Sequence, residues 1–155
     1  MGTVVEKDYT PYHIDQVLAL KLVNRDAIAQ ADLKVVVDVV NSVGGVVIPA
    51  LLRALGVKEI IELNCEPTGH FAHNPEPIPE NLTQIAAKMK ESRADLGIVV
   101  DPDVDRLALI SENGEMFGEE YTLVAVADYV LKHTPGNTVS NLSSSRALKD
   151  VTEAY

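Results

Sequence analysis

Three aspartates alternate along Asp101-Pro102-Asp103-Val104-Asp105-Arg106, directly after the apolar run Leu96-Gly97-Ile98-Val99-Val100. Carboxylates at every second position of an extended or turning backbone can point inward together. Such a set suits a hard cation such as Mg²⁺, which takes oxygen ligands. Without a cation, carboxylates this close repel one another, and each disfavours ionisation of its neighbours. Arg106 adds a guanidinium able to hold a phosphate or another anion beside the metal. Pro102 fixes its own backbone angle and pushes Asp101 toward extended geometry, stiffening the connection. A solvated acidic turn is the alternative. A calcium-binding helix–loop–helix is excluded: Asp101, Asp103, Asp105 and Glu112 fall at positions 1, 3, 5 and 12 of such a loop, but position 6 is Arg106 where the sharp turn needs glycine. Residues 107–110, Leu-Ala-Leu-Ile, read as a strand instead.

The elements that hold this loop alternate between strand and helix periodicity. Ile14, Val17, Leu18 and Leu22 recur at helical spacing and predict a first helix over 14–29. Leu33 to Val40 is a β-branched apolar run suited to a strand covered on both faces. Gly44 and Gly45 follow, then Ile48, Leu51, Leu52 and Leu55 on one helical face, with Gly56 placed as its C-cap. The two glycines match no phosphate-cradling pattern, and close packing of helix on strand accounts for them. Lys58 to Leu63 predicts a second strand and Asn64 to Pro79 a loop. Pro79 or Glu80 opens a helix whose buried stripe is Leu82, Ile85, Ala86 and Met89. Ala94–Val100 and Arg106–Ser111 are the third and fourth strands. The five residues between them are too few for a parallel crossover of about a dozen, so the pair is antiparallel.

A last helix carries Leu123, Val126, Ala127, Val130 and Leu131 on one face. Thr134 to Asn137 is a turn, Thr138 to Asn141 a short strand, and Ser143 to Ser145 the cap of a helix from Arg146 to Tyr155. The expected fold is α/β: a three-layer α/β/α domain whose four-stranded mixed sheet, with an antiparallel last strand, lies between helices.

Composition narrows the function. The 155 residues carry 13 Lys and Arg against 23 Asp and Glu, a net charge of −10, which argues against a nucleic-acid partner and against a cationic membrane-surface helix. No apolar run reaches the roughly 18–20 residues that span a bilayer. Cys65 stands alone, so no internal disulfide forms, and with no visible secretory signal the expected location is cytoplasmic. His70 and His73, with Cys65 or Glu66, lack the remaining ligands of a zinc site and are read as surface or interdomain contacts. Cys65 itself is read as a small core residue. Ser143, Ser144 and Ser145 have no nucleophile elbow around them and are read as helix-capping residues.

Ala94 to Val100, followed by Asp101 to Leu107, resembles the second domain of the α-D-phosphohexomutases, the phosphoglucomutase, phosphomannomutase and phosphoglucosamine mutase enzymes. Their metal loop usually reads D-G-D-G-D-R; here Pro102 and Val104 stand at the glycine positions, and the carboxylates and the arginine are kept. Phe71-Ala72-His73-Asn74-Pro75-Glu76-Pro77, Glu80-Asn81-Leu82, and Leu33 to Asp38 leading into Gly44 and Gly45 also resemble that domain. The resemblance implies that residues 1–134 are domain II and that 135–155, from Gly136-Asn137-Thr138-Val139 through Asp150, are a linker and the beginning of domain III.

The resemblance further implies phosphoryl exchange between a phosphoserine in another domain and the 1- and 6-positions of a hexose phosphate, through a bisphosphate intermediate. Asp101, Asp103 and Asp105 would hold one Mg²⁺ per full-length chain, and Arg106 would support the phosphoserine. The family's T-x-S-H-N-P segment is absent: His73-Asn74-Pro75 imitates its end, but position 72 is alanine. The sugar-selecting G-E-x-S-G loop and the phosphate-gripping last domain are absent as well. The working partners would be the other domains of the same chain, and this segment alone would be inactive. The competing expectation is a stand-alone acidic α/β module that binds a protein, with its aspartate loop merely solvated.

Overall fold

The computed structural model describes residues 2–155. Its sheet has the order β2-β1-β3-β4, built from β1 (Lys34–Asp38), β2 (Glu59–Leu63), β3 (Leu96–Val100) and β4 (Leu107–Ser111). β1 pairs parallel with both β2 and β3, and β3 pairs antiparallel with β4, from Leu96 opposite Ser111 to Val100 opposite Leu107. The short connection at 101–106 leaves no other pairing open.

Alternation along β1 divides the core. Val36 joins Val99, Ala108 and Ile110 on one face, where α4 (Thr83–Ser92) seats Ile85 and Met89. Val35 and Val37 join Val100 on the other face, under Leu52 of α3 (Gly44–Leu55). Helices on both faces explain why β1 is apolar at nearly every position. The α4 stripe lies as its spacing predicts, although Pro79–Asn81 form a separate 3₁₀ turn before the helix proper. Gly56 caps α3 with φ +97°, a left-handed conformation that glycine adopts without steric cost. The helix includes Gly44 and Gly45 instead of starting after them.

Four further expectations are corrected. The helix expected over 14–29 is two, α1 (Thr10–Leu18) and α2 (Arg25–Gln30). Pro11 opens the first early, and the Asn24 side chain accepts from the Ala27 N–H at 3.0 Å, starting the second where a continuous helix was expected. On α5 (Glu119–His133) Leu131 is buried, but Leu123 and Val126 are 54% and 57% exposed and Val130 is exposed too. This helix is apolar on more than one face, and its contacts with β4 and with α6 (Ala147–Glu153) fix a different face inward. Residues 138–141 form no strand: they have no ladder partner, and the Thr138 hydroxyl bonds Thr152 of α6 at 2.7 Å. The last helix also stops at Glu153, short of Tyr155, whose hydroxyl donates to Asp128 at 2.8 Å.

Candidate metal centre

Four of the non-glycine residues with left-handed backbone lie at the carboxyl ends of the strands. Val40 and Asn41 after β1, Asn64 after β2 and Val104 after β3 all have positive φ, from 49° to 63°. Valine in this conformation is strained, and such strain persists only where the surroundings hold it; the Val104 side chain packs against the α3-side core. Val104 occupies a left-handed position that glycine takes freely, which explains how the loop keeps its turn without one. Open α/β sheets bind ligands at this edge.

Asp101 directly follows β3 and is buried. Its Oδ1 accepts from the backbone N–H groups of Asp105 and Arg106, both at 3.1 Å, and its carbonyl accepts from Val104 N–H at 3.2 Å. The loop thus curls around one aspartate, leaving Oδ2 free of amide donors. Asp103 and Asp105 are exposed, and one oxygen from each of the three carboxylates lies within 4.8 Å of the others. Among the described residues no other group of three His, Cys, Asp or Glu gathers this way.

The negative charges of Asp103 and then Asp101 hold the Asp105 carboxyl above its ordinary range. A divalent cation relieves that repulsion and needs only a small inward movement of oxygens already converging. The residues therefore fit Mg²⁺ by donor chemistry and by spacing. Arg106, 55% exposed, places Nη1 3.4 Å from Glu76 Oε1 and Nε 3.9 Å from Asp101 Oδ2. An open depression of about 280 Å³ separates Asn74, Pro75 and Glu76 from Asp101, Pro102 and Arg106.

Other candidates resolve differently. A depression of about 450 Å³ at the end of β2 is lined by Asn41, Glu62, Asn64, Cys65 and Glu66. Burial, followed by the charges of Glu62 and Asp38, pushes the Cys65 thiol up to about 12, so at neutral pH it carries no thiolate to act as a nucleophile. Ser143 and Ser144 donate to Asn141 Oδ1, and Ser145 Oγ accepts from Ala147 N–H at 3.3 Å; this is a local turn, and the N-cap position of α6 is Arg146, without a side-chain cap, instead of the expected serines.

His73 is the miss. It is no surface contact: its side chain is 16% exposed, and Nε2 lies 3.1 Å from Oδ2 of Asp38, itself 1% exposed. Asn64 Nδ2 donates to both Asp38 oxygens at 3.2 Å and Val40 N–H donates to Oδ1 at 3.1 Å. The signal for Asp38 was in the chain, a lone carboxylate inside the β-branched run Val35 to Val40, where burial without partners is costly.

Comparison with known proteins follows the same lines. Residues 11–114 match the family model for phosphoglucomutase/phosphomannomutase, alpha/beta/alpha domain II. The chain is 40% identical over 131 residues to a phosphoglucomutase/phosphomannomutase of Thermococcus kodakarensis, covering 83% of this chain and 28% of that protein. It is 36% identical over 159 residues to a phosphomannomutase/phosphoglucomutase of Pseudomonas aeruginosa, covering 100% and 33%. A solved phosphoglucomutase/phosphomannomutase family protein from Burkholderia thailandensis superposes with a TM-score of 0.69 at 29% identity, over 94% of this chain and 32% of that one. The chain thus spans about a third of the length of the curated relatives it matches.

Proposed function

Since the chain belongs to the phosphoglucomutase/phosphomannomutase family, as its α/β/α domain II, we propose that it is the Mg²⁺-holding part of a phosphohexomutase. The observation that carries this reading is the convergence of Asp101, Asp103 and Asp105 at the end of β3 with Arg106 alongside. When bound, Mg²⁺ would offset charge on a transferring phosphoryl group and orient it. Asp101 is oriented for this by its two amide donors, and Arg106 presents an exposed guanidinium to an anion in the adjoining depression. The substrate is proposed to be a hexose phosphate of the glucose, mannose or glucosamine series, met together with other domains of one chain, with residues 135–155 leading into the third. These 155 residues carry no T-x-S-H-N-P segment to bear the phosphoseryl group. The expected result of a coupled assay with hexose 1-phosphate, Mg²⁺ and a bisphosphate activator is therefore no turnover, and measured turnover overturns that expectation.

Thermal melting tests the metal reading. For a dissociation constant of about 1 mM, 10 mM Mg²⁺ stabilises the folded chain by about 1.4 kcal/mol, a rise of about 4 °C. Asp103→Asn is expected to melt slightly above the wild type without metal, since a repelling neighbour of Asp105 is gone, and to respond to Mg²⁺ by less than about 1 °C. The sign follows from Asp105, whose carboxyl is raised in the folded state. Its repulsion is absent below the unfolded value of about 3.9 and sets in as pH rises through the folded one. The variant's metal-free advantage therefore fades as pH falls toward 4. The exposed Leu123, Val126 and Val130 of α5 favour a second reading, a protein-binding module. That reading predicts no response to divalent cations in either protein.

A further inference from the structure

Asp38 and His73 link the interior of the sheet to the rim of the metal loop. Asp38 is fixed from three sides, by Val40 N–H, Asn64 and His73. On the other side of the ring, His73 Nδ1 lies 2.8 Å from the Asn74 carbonyl. Both ring nitrogens thus face oxygen atoms, and the ring is held from both edges. The segment that follows is tied in turn: Glu76 N–H donates to Asn74 Oδ1 at 3.2 Å, and Asn81 Nδ2 donates to the Glu76 carbonyl at 2.8 Å. At its end the Glu76 carboxylate faces Arg106, which stands between Glu76 and Asp101.

We propose that His73 is a positioning residue: pinned on buried Asp38, it seats Asn74–Glu76 so that Glu76 shares the Arg106 guanidinium with Asp101 and keeps it from folding further onto the three metal-ligating carboxylates. The proposal rests on the metal reading above. Arg106 has one charge and two sets of acceptors within reach. Released from Glu76, it folds onto Asp101, Asp103 and Asp105 and competes with a divalent cation for them. Held by Glu76, it remains beside the depression, open to an anion.

Mn²⁺ affinity, read by electron paramagnetic resonance of the free ion, tests this in a double-mutant cycle. His73→Ala is expected to weaken Mn²⁺ binding about fivefold, and His73→Gln, whose amide still reaches toward Asp38, to recover part of the loss. In an Arg106→Gln background, His73→Ala is expected to change affinity by less than about twofold, because the competing guanidinium is gone. Circular dichroism establishes that each variant is folded; should His73→Ala unfold, Asp38→Asn and His73→Gln carry the same comparison. A folded His73→Ala that binds Mn²⁺ like the wild type overturns the proposal. So does a loss that persists undiminished with Arg106→Gln, since it reports general loosening. A wild type that binds no Mn²⁺ defeats the metal reading and the proposal with it, an outcome distinct from a binding wild type indifferent to His73.

Discussion

Gly45→Ala lowers the melting temperature by about 10 °C, corresponding to about 3 kcal/mol for a chain of this length. Replacing glycine by alanine inside a helix ordinarily stabilises by about 1 kcal/mol, so the expected sign is reversed. The reason is the approach of α3 to the end of β2. A Cβ on Gly45 would overlap the carbonyl oxygen of Cys65 and lie 2.8 Å from its carbonyl carbon. These are backbone atoms and cannot rotate away, so the helix start or the loop after β2 must shift. Gly44→Ala is expected to cost less, about 1–2 kcal/mol, because its Cβ would meet side chains, Val100 Cγ2 at 2.9 Å and Val39 Cβ at 3.1 Å. The shift in Gly45→Ala also reaches the site, since Asn64, next to Cys65, holds Asp38. Melting by differential scanning calorimetry checks this, and a Gly45→Ala protein within about 2 °C of the wild type contradicts the packing described.

What could be read from the residues was local. Five residues between two apolar runs forced β3 and β4 antiparallel, and Gly56 marked the end of α3 because only a left-handed residue closes a helix that way. The two glycines before Val46 were legible as a close approach, although not that the carbonyl of Cys65 was the neighbour. The aspartates were legible because alternate spacing converges side chains within a single turn.

The misses depended on partners distant in sequence. His73 looked like a loop histidine, since its partner Asp38 lies 35 positions away. Glu76 gains meaning only from Arg106, 30 positions on. The inward face of α5 was set by what packs on it, and a helix apolar on several sides does not announce which. Residues 138–141 have strand-like composition, but a strand exists only where another can pair with it.

Asp103→Asn is expected to lose Mn²⁺ affinity by at least about 100-fold, because it removes both a charge and an anionic oxygen ligand at contact distance from a doubly charged ion. The replacement keeps the shape of the side chain, and Asp103 is exposed, so the fold survives the change. Nothing nearby substitutes for it: Asp101 Oδ1 is occupied by two amides, and Glu76 faces Arg106. Direct titration of Mn²⁺ into the wild type and Asp103→Asn, with free ion counted by electron paramagnetic resonance, reads this without reference to turnover. One saturable site per chain in the wild type, absent from the variant, is the expected result. Equal binding by the two proteins, or none by either, contradicts a metal centre at Asp101, Asp103 and Asp105.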